Sequence, residues 1–149
     1  MALWTCKPFD HLTPAELYAI LQLRNEVFVV EQDCVFHDAD DKDQAAWHLM
    51  GFNDKKLVAY TRILPPGVAF TEASIGRVVT SPSVRRSGVG RELMQQSIAR
   101  LQELFGTVPI RMNAQRYLER FYGSFGFVQD GEPHLEDGIE HIEMVLNIL

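Results

Sequence analysis
Hydrophobic positions change period several times along the chain, and each change marks an element. Thr13-Pro14-Ala15-Glu16 reads as a helix start: Thr13 can cap, Pro14 suits the first helical position, and Glu16 completes a capping box. Leu17, Ile20, Leu21, Val27 and Phe28 then recur on one helical face. The period is lost from Glu31 to Gln44, where Glu31, Asp33, Asp38, Asp40, Asp41 and Asp43 predict an acidic loop. WHLMGF (47–52) and LVAYTRIL (57–64) are rich in strand formers, and the NDKK between them predicts an antiparallel hairpin. SIGRVVTS predicts a further strand. Met94, Ser97, Ile98, Leu101 and Phe105 share one face of a helix over 90–105, which Gly106 stops. VPIRMN (108–113) reads as a strand, and Leu118, Phe121, Tyr122 and Phe125 as a short helix ending at Gly126. FGFVQD and EHIEMVL close the chain as strands. The order gives a mixed α/β (α+β) layer fold with one parallel crossover.

The chain has 149 residues, which fits a single domain over 1–149. A chain of this size buries about 68–70% of its unfolded surface, enough for one core. The formal net charge of −6 argues against nucleic acid as a partner and is compatible with cationic substrates. Cys6 and Cys34 are too few for a disulfide framework and suit a cytosolic protein. MALWTCKPFD lacks a signal-peptide core, and VFVV at 27–30 is far too short to span a bilayer. A cytoplasmic protein without a membrane partner is expected.

The chemistry concentrates where a strand hands over to a helix. Arg85-Arg86-Ser87-Gly88-Val89-Gly90 lies there, with Arg91 next in line. A helix N-terminus has unpaired N–H groups and a partial positive charge, and glycine lets an anion approach closely. The stretch therefore reads either as a phosphate or pyrophosphate cradle or as a glycine-rich turn with solvated arginines. Neither the P-loop pattern nor the three-glycine dinucleotide fingerprint is present.

This stretch resembles the [Q/R]-x-x-G-x-[G/A] signature of the GCN5-related N-acetyltransferases, the GNAT superfamily. RNEVFVVEQ, WHL, LVAYTRIL, IGRVV, NAQ, FYGSFGF and EDGIEHIEM follow the order of its ElaA-like branch, so the resemblance covers nearly the whole chain. It implies a GNAT fold: a mixed V-shaped sheet with flanking helices and one splayed parallel strand pair holding the pantetheine arm of coenzyme A. It implies that the backbone of Val78, Val79 and Arg77 pairs with the pantetheine, with the Val79 N–H near the thioester carbonyl. Arg85, Arg86, Ser87, Gly88, Val89 and Gly90 would hold the pyrophosphate, and Asn113, at a strand end, would bond the pantetheine. Tyr122 matches the family position that donates to the leaving thiolate, and also suits core packing with Phe121 and Phe125.

The activity implied is direct transfer of acetyl from acetyl-CoA to a primary amine on a small molecule or peptide, with no metal. A lysine-like amine has a pKa of about 10.4, so deprotonation at pH 7 costs roughly 4–5 kcal/mol and a base is useful. His141 is the first candidate and Glu31 the second, with His48 third. A water relay, a structural histidine and a solvated helix end are the competing readings. The acidic loop either steers cationic acceptors or is a solvated surface. Cys34 lies in that loop without an evident base, against a covalent route. A non-catalytic acyl-CoA-binding module is the alternative to the enzyme, and many relatives form homodimers.

Overall fold
The computed structural model describes residues 2–147. Its strands are β1 (Leu3–Pro8), β2 (Trp47–Asn53), β3 (Lys56–Leu64), β4 (Ala73–Thr80), β5 (Ile110–Gln115), β6 (Val128–Gln129), β7 (His134–Glu136) and β8 (Ile139–Leu146). The helices are α1 (Pro14–Arg24), α2 (Val89–Phe105) and α3 (Glu119–Gly123). All eight strands form one sheet in the order β1-β2-β3-β4-β5-β8-β6, with β7 also paired to β8. Pairing is antiparallel except between β4 and β5, which run parallel.

That parallel contact is short. Ala73 meets Ile110 and Ser74 meets Arg111, and no pair follows. From Ile75 onward the β4 edge facing β5 has no strand partner among the described residues. The cause lies on the other edge of β4. Tyr60 pairs with Val79 but Arg62 pairs with Gly76, so Arg77 and Val78 together oppose Thr61. This is a β-bulge, which bends its strand and re-aims its backbone. Arg77 adopts φ 51°, a left-handed conformation unfavourable for a side chain with a Cβ.

Helix α1 starts as its residues dictate: Thr13 Oγ1 accepts from the Glu16 N–H, and Glu16 Oε1 accepts from the Thr13 N–H. Its apolar stripe departs from expectation. The α-helix ends at Arg24, and Asn25–Glu31 continues as a π-helix. The Gln32 N–H bonds the Val27 carbonyl and the Cys34 N–H bonds that of Val29, both five residues back. Ile20, Leu23 and Val27 are buried against Met50, Tyr60 and Val79, with Phe28 packed beside them, while Leu21 is exposed, so Leu23 rather than Leu21 carries the stripe. On the opposite face of the sheet, α2 packs Leu93, Met94 and Leu101 into a core with Ile63, Ile75, Met112 and Met144. Two strands were not legible from the sequence. Strand β1 is an edge strand whose Trp4 lies over Gly51, where a Cβ would come within 2.7 Å of the indole. Strand β7 has only three residues.

The acidic loop is neither a solvated surface nor a steering patch. Asp43 Oδ1 accepts from Arg24 at 2.8 Å and from Arg62 at 2.9 Å. Asp40 accepts two bonds from the Arg62 fork, at 2.7 and 2.9 Å. Asp38 takes Arg24 on one oxygen and Arg77 on the other, both at 2.8 Å. Three carboxylates thus neutralise three guanidiniums, and Arg24 is fully buried. Buried charges persist only when paired and hydrogen-bonded. Asp33 and Asp41 are exposed and stand outside this network.

Burial alone would raise the Asp40 carboxyl, but the Arg62 fork and the charges of Arg62 and Arg77 outweigh it and hold it at about 2. A depressed carboxyl contributes stability above its unfolded pKa of about 3.9, and that contribution is lost as pH falls through the folded value. Wild-type Tm should therefore drop between about pH 4 and pH 2. Asp40→Asn should be less stable at pH 7 and converge on the wild type at pH 2. Parallel Tm curves across that window would contradict the assignment.

Candidate active site
The splay of β4 from β5 opens a cleft of about 600 Å³. Its walls come from the π-helix, the bulged half of β4, the end of β5, the start of α2, the α3 region and the β7–β8 hairpin. Val78, Val79, Asn113, Tyr122, His141, Glu31, Arg85 and Gly90 all line it. Arg86, Ser87, Gly88 and Val89 do not: the first three lie in the turn before α2 and Val89 is the first residue of that helix.

That turn is built for a helix start without a side-chain cap. Gly88 is the N-cap of α2 at φ 88°, and no side chain bonds the first-turn N–H groups. A Cβ at Gly88 would meet nothing within 4 Å. The requirement for glycine is therefore its left-handed backbone, and the open space above it stays clear for an anion. Arg85 is not free beside it. Its guanidinium pairs with both carboxylate oxygens of Glu31, one at 2.6 Å, and so joins the π-helix to the turn. The hydrogen bond from Arg85 holds the Glu31 carboxyl below the usual carboxylate range. Glu31 is thus committed to an ion pair at the rim, and work as a base would require that pair to open.

Asn113 lies inside β5, opposite Glu143, two residues before the strand ends at Gln115. The strand-end placement expected for it is therefore corrected. Its Oδ1 is buried and has no hydrogen-bond partner among the described residues. A buried acceptor left unpaired costs about 1–3 kcal/mol, so this atom marks where a ligand donor fits.

Tyr122 is buried between Phe121 and Phe127, with ring centroids 5.2 and 6.4 Å away. It packs in the core and reaches the cleft at once. Burial pushes its hydroxyl well above the ordinary tyrosine value, so it stays protonated and acts as a donor.

His141 donates from Nδ1 to the Ile139 carbonyl at 2.7 Å, since a carbonyl can only accept. In the neutral ring the proton is then on Nδ1, and Nε2 carries the basic lone pair. His48 is excluded as a base. It is fully buried, Nε2 bonds the Asp43 carbonyl at 2.9 Å, and Nδ1 bonds the Tyr60 hydroxyl at 2.6 Å. By the same logic its Nε2 donates and its Nδ1 accepts, and burial lowers its pKa. Cys34, in the acidic loop, is buried in the cleft wall, and its thiol donates to the Asp137 carbonyl at 3.4 Å.

Several cleft residues escaped the sequence reading. Gln32 and Gln115 exchange amide hydrogen bonds of 3.2 and 3.1 Å and bridge the π-helix to β5. Glu136 and Asp137 line the far end from the β7–β8 hairpin. Its turn, Asp137-Gly138, has φ 50° and 79°, the positive pair that Asp-Gly hairpins favour. That dipeptide was the available signal. Chemically, the cleft joins an anion-receptive turn, an orphaned amide oxygen, a protonated phenol and an imidazole with a free lone pair.

Comparison with known proteins agrees with this geometry. Residues 17–148 match the family model described as an acetyltransferase (GNAT) domain. An acyl-CoA N-acyltransferase structure from Pseudomonas aeruginosa superposes with a TM-score of 0.91 at 43% identity, covering 97% of this chain and 99% of that one. The crystal structure of Escherichia coli ElaA gives 0.92 at 38% identity, covering 99% and 100%. A UPF0039 protein of Schizosaccharomyces pombe is 41% identical over 144 residues, 95% of each chain. With its fold, its splayed parallel pair and nearly its whole length matched, the chain belongs to the GNAT family of acetyltransferases, on the ElaA-like branch.

Proposed function
We propose that the protein transfers an acetyl group from acetyl-CoA to a primary amine of a small molecule or peptide, by direct attack in a ternary complex. The observation that carries this reading is the buried, unpaired Oδ1 of Asn113 inside the splay, with Tyr122 and His141 lining the same cleft. The residues present fit coenzyme A. The turn at 85–90 would hold the pyrophosphate, Asn113 would accept from a pantetheine amide, and the open edge of β4 at Val78 and Val79 would pair with the rest of the arm.

The acceptor nitrogen attacks the thioester carbonyl carbon, and the C–S bond then breaks. His141 Nε2 takes the proton the amine loses. In this reading a backbone N–H of the Val78–Val79 stretch on the open edge of β4 would face the developing oxyanion. The Tyr122 hydroxyl donates to the departing sulfur. Full proton transfer from a tyrosine to a thiolate is uphill by roughly 2 kcal/mol from their ordinary pKa values, and burial of Tyr122 widens the gap. A hydrogen bond that strengthens as the thiolate forms is therefore its role. Direct attack agrees with Cys34, whose thiol is engaged with the Asp137 carbonyl.

Calorimetry should show saturable acetyl-CoA binding by the wild type that Gly88→Glu abolishes. No binding by folded wild type would end the assignment. Binding without thiol release across a broad primary-amine panel would instead make the protein an acyl-CoA-binding module. Tyr122→Phe should lower kcat by about 10²–10⁴ without weakening acetyl-CoA binding, and an unchanged kcat would remove Tyr122 from the chemistry. Glu31 competes with the pyrophosphate for Arg85, and an exposed pair is worth about 0.2–1 kcal/mol. Glu31→Gln should therefore bind coenzyme A more tightly, by up to about fivefold. Weaker binding would show that Glu31 supports the cofactor rather than competing with it.

A further inference from the structure
The imidazole of His141 has a second histidine against it. His134 of β7 is its register partner on β8, and their rings lie 6.2 Å apart at 28°. Paired residues of antiparallel strands share a sheet face, and alternation puts Glu136 on that face too. His134 Nε2 lies 3.5 Å from Glu136 Oε1. On the other side of β8, Gln115 of β5 is paired with His141, and Gln115 is itself locked to Gln32. The imidazole is thus flanked by His134 and Gln115 and tethered by Ile139, and these contacts leave Nε2 free.

We propose that His134 is a positioning residue for His141, a role that rests on His141 being the group that takes the acceptor's proton. The imidazole has two ring orientations about its terminal torsion. The bond from Nδ1 to the Ile139 carbonyl exists in only one of them. The His134 ring lies alongside that of His141 and opposes its rotation away from that carbonyl. Glu136 orients His134 in turn through its Nε2. The Asp137-Gly138 turn brings β7 back along β8, and the Cys34 thiol holds that turn against the loop. The short strand β7 therefore exists, in functional terms, to place one ring against another. Its requirement is an aromatic face at 134, not a titrating group.

The test uses nitrogen-15 NMR of the histidine rings, with kcat on the best amine of the panel as a second readout. The wild type should show His141 as the Nδ1–H tautomer. His134→Ala should give a mixture of tautomers and lower kcat about tenfold, with acetyl-CoA affinity unchanged. His134→Phe should restore the single tautomer and bring kcat within about threefold of the wild type. An unchanged tautomer and kcat in His134→Ala would overturn the proposal. Failure of His134→Phe to rescue would overturn it as well, because His134 would then act through its own protons. If coenzyme A binds but no amine is acetylated, the transfer reading fails while the NMR arm still decides the positioning role. An Nε2–H tautomer in the wild type would remove His141 as the base, and this role of His134 with it.

Discussion
One buried array of charges sets the shape of this protein. Arg77 holds a backbone conformation that costs a non-glycine residue about 1–3 kcal/mol, and it persists because its guanidinium is tied down. Asp38 accepts from Arg77 Nε at 2.8 Å, and Asp40 lies 3.4 Å from its other nitrogen. The same two aspartates bind Arg24 of α1 and Arg62 of β3, while Asp43 bridges those two arginines. A loop, a helix and two strands are thereby fixed to the one residue whose bulge turns β4 away from β5. The splay, and with it the cleft, depends on that anchorage. Removing one carboxylate leaves a buried guanidinium underpaired, so the array is intolerant of piecemeal change.

The array also explains which parts of the fold were legible in the sequence. The capping box at Thr13, the hairpin around residues 53–56, and the helix stopped by Gly106 are set by local chemistry, and they read correctly. The acidic loop misled because its aspartates are spaced like a surface run. Their partners Arg24, Arg62 and Arg77 are between 14 and 39 residues away in the chain. The stripe misread Leu21, which is exposed, and missed Leu23, which is buried, while Val27 and Phe28 pack as expected; that a π-helix carries them is not announced by NEVFVVE. Strand β1 has no readable alternation, and its place at the sheet edge comes from Trp4 meeting Gly51.

The candidate site was legible wherever a short motif fixes both geometry and chemistry. Gly88 demands a left-handed backbone, Tyr122 stands in an aromatic run beside the cleft, and His141 alternates with buried Ile142. The turn at 85–90 was expected to act as a unit. The fold divides it, with Arg85 and Gly90 lining the cleft and the four residues between them outside. Glu31 and His48 show the limit from the other side. Both have suitable chemistry, but long-range partners commit one to Arg85 and the other to Tyr60 and the Asp43 carbonyl. Residue type proposes a role in such cases, and the hydrogen-bond partner decides it.

A crystal structure of the acetyl-CoA complex tests the central claim most directly, namely that the anchored bulge holds open a cleft shaped for the pantetheine arm. The account predicts the arm lying between β4 and β5, with a donor of the arm on Asn113 Oδ1, the bulge at Arg77 unchanged, and Arg85 released from Glu31. A cofactor bound outside the splay, with Asn113 Oδ1 still unpaired, would contradict it.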